Sequence, residues 1–125
     1  WEIVFYATLI TAATLGAFWW AHDPDPARAR TVAFLTLGLA QSFHLVNARS
    51  RTAVTGFAHI SNPYALAGVA TAVGLQLMAV LAPPVAALLG TVRPRTDEWF
   101  VIAAASIAPA LAGQSLKAVR SRLRR

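Results

Sequence analysis

The sequence predicts an all-α membrane protein: a four-transmembrane-helix bundle with both termini cytoplasmic, forming a single membrane domain over residues 1–125. Three observations lead there. The chain is 57% hydrophobic and 13% charged, with a mean hydropathy of +0.54, whereas roughly a quarter of an average soluble chain is charged. Its apolar residues fall into long blocks broken by short charged patches, which is the pattern of membrane-spanning helices. Its basic residues are also spread unevenly over the connections between blocks, as they are when charge sets orientation.

The first charge-free block, residues 3–21, covers about 28 Å as a helix, close to the hydrocarbon thickness of a bilayer. Trp19 and Trp20 mark its far interface, where amphipathic rings prefer to sit. The stretch "HDPDPAR" stops it, because prolines and aspartates do not continue a membrane helix. Residues 31–48 form the second block, ending at Arg49 and Arg51. The charge-free region from Thr52 to Val92 is too long for one straight span. Asn62 as a cap and Pro63 at the first helical position start a span over residues 64–82, and Pro83-Pro84 stops it. The following "VAALLGTV" is too short to cross and lies at the interface or against the bundle. The fourth span, residues 99–116, has Thr96 as its cap and Asp97 and Glu98 in the first turn, near the positive end of the helix dipole. Pro109 within it is expected to cause a kink unless neighbours satisfy the freed carbonyl.

Four spans put both ends and the middle loop on one side. That side carries Arg49, Arg51, Lys117, Arg120, Arg122, Arg124 and Arg125, against Arg28, Arg30, Arg93 and Arg95 on the other. The excess places the termini in the cytoplasm of a multi-pass protein of the cell membrane. The basic tail, residues 117–125, directly follows a span, so it is read as an anchor on anionic lipid and not as a nucleic-acid patch. Trp1 is read as a cut inside a longer protein, since no basic leader or cleavage site precedes the first block. Ten arginines to one lysine, with abundant alanine, suggest a bacterial source. Small residues recur at helical spacing at Ala12 and Gly16, Gly68 and Ala72, and Ala70 and Gly74. Such pairs are expected to let helix backbones approach closely in lipid.

Candidate chemistry is sparse. Cysteine is absent, which removes disulfides and thiolate metal sites. No phosphate-cradling loop, nucleophile–base pair or carboxylate pair is visible, so no catalytic residue and no cofactor site is expected in this chain. The second span alone stands out, because Gln41, His44 and Asn47 step by about 60° each and share one polar face. That face should point into protein or a wet cavity. Two readings remain open: helix-to-helix glue, or, for Gln41, an amide oxygen offered to a hard cation. No Asp or Glu lies inside any of the four spans, so the carboxylates of any such site must come from elsewhere. His44 has no second His one turn away, which argues against a transition-metal site.

The stretch "ARTVAFLTLGLAQSFHLVNARS" resembles the eighth transmembrane helix of cation-transporting P-type ATPases of the calcium-pump class, in their bacterial form. In order around it, "ITAATLGAFWWAH" resembles the seventh helix, "SNPYALAGVATAVGLQLMAVLAPPVAALLGTV" the ninth, and "TDEWFVIAAASIAPALAGQSLKAVRSRLRR" the tenth with its tail. The resemblance implies the C-terminal membrane segment of an ATP-driven cation pump, calcium being the cargo. The segment would buttress the transport helices and work beside the remaining membrane helices of the parent. Mg-ATP and the transported cation would be met by that parent, whose phosphorylation motif D-K-T-G-T and nucleotide domain this chain lacks. At the position matched by Gln41, two-site pumps carry an acidic ion ligand and one-site plasma-membrane pumps carry Gln. Gln41 is therefore implied as a transport-site ligand of a site with one ion or less charge. The rival expectation is a self-standing four-helix membrane scaffold or interaction module with no transport of its own. A small proton-coupled exporter is disfavoured because it would need an intramembrane carboxylate.

Overall fold

The computed structural model describes residues 2–23, 25–49 and 63–123, with the side chains of all of these except 46–49 and 117–123. The Asn62 cap, Arg51, and the last two arginines lie outside the described residues. Within them the regular secondary structure is all α-helix: α1 (Glu2–Trp20), α2 (Pro26–Arg49), α3 (Pro63–Leu81), the short α4 (Pro83–Leu89) and α5 (Thr96–Leu123). Three of these, α1, α3 and α5 over Thr96–Leu116, are long and apolar enough to cross a membrane.

Each end has a local cause. α1 stops at the turn before the Asp-Pro pairs, where Ala21 N–H still reaches Ala17 O at 3.1 Å. The same segment starts the next helix, five residues earlier than the sequence alone suggested. The Asp25 carboxylate accepts the Ala27 N–H at 2.9 Å, Asp25 O takes the first helical bond from Ala29, and Pro26 fills the first position, an Asp cap followed by Pro. α3 opens on Pro63 as expected. α4 ends where Gly90 adopts φ +65° and its N–H side of the turn closes back on Ala86, a left-handed cap that only glycine adopts without strain. At the start of α5, Arg95 and not Thr96 is the cap. Arg95 O accepts from Trp99 N at 3.1 Å, and Glu98 reaches back to accept the Arg95 N–H at 2.6 Å, the return half of a capping box. α5 runs without a break through Pro109, which is buried.

The long helices alternate in direction. Arg28 meets Glu98 and Ser106 donates to Thr36 O at 3.2 Å, both pairs separated by 70 residues, so α2 and α5 run side by side and parallel. Tyr6 at the start of α1 touches His44 late in α2, while Ala17 and Ala21 share a core cluster with Ala29, Val32, Leu35, Val80 and Ile102. α1 is therefore antiparallel to α2. Gln76 late in α3 bonds the backbone of Phe34 and Leu35 early in α2, which makes α3 antiparallel as well. Tyr6 also lies against Gly113 of α5. The start of α1 and the late turns of α2 and α5 thus occupy one end of the bundle.

α2 is the axis, packed against α1, α3 and α5, and it supplies Ala29, Val32, Leu35 and Thr36 at 0% exposure. The outer helices show the opposite. Ile3, Phe100 and Leu111 are 84%, 73% and 61% exposed, as lipid-facing side chains would be. The small-residue pairs read from the sequence do not make the helix contacts. Ala12, Gly16, Gly68, Ala70, Ala72 and Gly74 are exposed, and a Cβ added at Gly16, Gly68 or Gly74 would meet nothing within 4 Å. Close approach occurs instead at Ala17, Ala21 and Ala29, at Gly38 against Gln76, and at Gly113 against Tyr6. Spacing alone could not choose between these faces, because the helices are apolar all round.

Candidate functional site

The polar half of α2 divides between two neighbours. Gln41 is exposed and lines a groove of about 530 Å³ between α2 and α3, walled by Phe34, Leu37, Leu45 and Leu75. Ser42, Gly38 and Gln76 complete its polar side. Gln76 is nearly buried, and its Nε2 donates to Phe34 O at 2.8 Å and to Leu35 O at 3.2 Å. Those carbonyls already belong to the α2 ladder, so the amide takes their second lone pairs. Gly38 makes room for it: any Cβ there would overlap the Gln76 amide. The Ser42 hydroxyl donates to Gly38 O at 2.9 Å.

No ionisable residue lines the groove. Among the described residues, a cation entering it would meet only amide and hydroxyl side-chain oxygens, fewer than the six to eight oxygens that a hard cation such as Ca²⁺ takes. Among the described residues there is also no group of three or more His, Cys, Asp and Glu able to hold a metal ion. What the groove can do is present one or two neutral oxygen ligands to a site completed from outside.

His44 is turned away from the groove. Its ring lies on Tyr6 of α1 with centroids 4.2 Å apart at 47°, and its Nδ1 is buried without a hydrogen-bond partner. Gln41 and His44 are therefore not brought to one site, although they are adjacent on the helix surface. The side chain of Asn47 lies outside the described residues.

Two polar features were not singled out from the sequence. One is Gln76, the hook that fastens α3 to α2. Replacing it with Leu removes both bonds, and intramembrane side-chain bonds average about 0.6 kcal/mol with 1–2 kcal/mol in favourable cases. Gln76→Leu is therefore expected to cost about 1 kcal/mol in equilibrium unfolding from mixed micelles. The other is the cluster at the opposite end of α2. Glu98 is 2% exposed and pairs with Arg28 at 3.3 Å and Arg95 at 3.7 Å. Arg28 also approaches Asp25 at 3.7 Å, and Arg95 approaches Asp97 at 3.0 Å. Thr31 lies beside it, 1% exposed, accepting the Val92 N–H at 3.0 Å. An Arg followed three positions later by Glu at a helix start was the available signal, since that spacing is that of a cap and its return.

Comparison with known proteins agrees with the arrangement. The family model described as "Cation transporting ATPase, C-terminus" matches residues 1–119. A calcium-transporting ATPase of Bacillus subtilis (strain 168) is 33% identical over 121 residues, which cover 93% of this chain and 14% of that protein. The chain thus spans about 14% of the length of that relative. No solved structure matches it significantly. An all-helical bundle with three membrane-length apolar helices, matched over nearly its whole length by that model, belongs to the family of cation-transporting ATPase C-terminal regions.

Proposed function

We propose that this chain is the C-terminal membrane segment of an ATP-driven cation pump of the cell membrane, with calcium as cargo. Four helices, α1, α2, α3 and α5, cross the bilayer with both ends in the cytoplasm. The segment buttresses the transport helices and lends them Gln41. The relative's printed activity supports calcium as the ion, and the excess of basic residues around residues 49–51 and 117–125 supports the orientation. That tail follows the last span and is suited to anionic lipid on the inner leaflet. Mg-ATP would be handled by the rest of the pump, because this chain offers it no phosphate-binding loop.

The packing of α2 carries the reading. α2 contains Arg28 and Arg30 and is not among the apolar helices that qualify alone. It nevertheless packs against α1, α3 and α5 and lies parallel to α5. At 24 residues it extends about 36 Å. If its neighbours cross, so does α2. An exposed Gln41 amide at that depth then needs a polar partner from outside the described residues, since an unpaired amide in hydrocarbon is costly. A transport site beside the groove meets that need.

The test is ATP-driven ⁴⁵Ca²⁺ uptake into inverted vesicles carrying the full-length protein. Gln41 is exposed and is not part of the buried core among the described residues, so folding of Gln41→Ala should persist. The half-saturating calcium concentration should rise about tenfold, equivalent to about 1.4 kcal/mol, or the number of ions per cycle should change. Unaltered uptake by a folded Gln41→Ala pump would remove Gln41 from the ion site.

A further inference from the structure

The short helix α4 leaves α1, α2 and α5 untouched among the described elements. Its seven residues span about 10 Å, and among the described elements it packs against α3 alone. Its outward side is bare: Leu88 is 84% exposed and Leu89 55%. Such side chains on a loop between helices would ordinarily be polar.

The depth of α4 follows from hydrogen bonds on either side of it. α3 ends at Leu81, yet the Thr91 hydroxyl, beyond α4, donates back to Ala79 O at 2.7 Å. The next residue, Val92, donates its N–H to Thr31 in the second turn of α2. The chain therefore leaves α3, forms α4 and returns to the level of the last turn of α3. It does not project beyond the bundle. Leu88 and Leu89 sit at the height where the membrane helices end. Trp19 and Trp20, 70% and 49% exposed, occupy the same end of the bundle. Met78 and Leu81 in the last turn of α3 are exposed as well, and the exposed Arg93 follows three residues after the Gly90 turn.

From this arrangement we propose that α4 is an interfacial foot on the phospholipid of the non-cytoplasmic leaflet. Leu88 and Leu89 enter the edge of the acyl region, and Arg93 lies among the headgroup phosphates. Apolar side chains beneath, cationic and aromatic groups at the rim, and a length too short to span are the features of an element lying in the interface plane. The proposal rests on the reading that the long helices span the bilayer.

The chain contains no cysteine, which permits single-site spin labelling. The full-length protein, with cysteines elsewhere replaced, would be labelled at Leu88→Cys, Arg93→Cys and Ile107→Cys in phosphatidylcholine vesicles. Collisions with oxygen and with a water-soluble nickel chelate are then compared. The expected result is a label at 88 reached by oxygen and shielded from nickel, with nickel reaching 93 severalfold better. Nickel access at 88 with Ile107 shielded would overturn the foot and leave the membrane bundle standing. Exclusion of both reagents at 88 would overturn it too, showing protein on α4. Nickel access at Ile107, in the middle of α5, would overturn the spanning reading and the foot together.

Discussion

Replacing Glu98 with Ala is expected to destabilise the bundle by about 2–3 kcal/mol, the largest effect of any single polar change. Glu98 is 2% exposed and does three things at once: it pairs with Arg28 of α2, pairs with Arg95, and accepts the N–H of the residue that caps α5. Breaking a fully buried pair costs about 3–5 kcal/mol because a charge is left stranded. Here Arg28 and Arg95 keep Asp25 and Asp97 as partners and their side chains are 30% and 57% exposed, so neither is stranded and the cost is smaller. Loss of the cap adds about 1 kcal/mol. Glu98→Gln keeps an oxygen for the Arg95 N–H and removes only the charge, so it should lose about half as much. Equilibrium unfolding in mixed micelles ranks the three proteins. Equal stability of all three would mean that the cluster holds nothing.

Gly113→Ala should cost about 1–3 kcal/mol, the range for overpacking a well-filled contact. The sign decides the matter, because alanine in a helix interior is otherwise about 1 kcal/mol better than glycine. A Cβ at Gly113 would overlap the Tyr6 ring, which is 8% exposed and also packs against His44. The ring has little room to retreat. Gly16 is the control: nothing lies within 4 Å of its added Cβ, and Gly16→Ala should be neutral or stabilising. In a Tyr6→Leu background the cost at Gly113 should shrink, the coupling expected of residues in contact. Similar effects at Gly16 and Gly113 would contradict the close approach of α1 and α5.

Block length and proline punctuation made the helices legible, since neither depends on partners. α1 and α3 match residues 3–21 and 64–82 to within a residue at each end. What depended on a partner was not legible. Asp25 was read as part of a stop for α1, and it also caps α2. Arg28 and Glu98 look like offsetting loop charges until the fold brings residues 70 apart together. The polar face of α2 was located by its 100° step, but periodicity cannot say which neighbour each part meets. Gln41 faces the α3 groove and His44 faces Tyr6. Gln76 sits in a largely apolar helix, and the two α2 carbonyls beside it explain its presence.

The most direct test is to read the gene upstream of Trp1 in frame. A pump's C-terminal segment requires that the frame continue through six more apolar spans and a D-K-T-G-T motif. A start codon with its ribosome-binding site immediately before Trp1 would contradict the account. Gln41 and His44 would then be packing or partner-binding groups in a membrane module with no ATP-driven transport of its own.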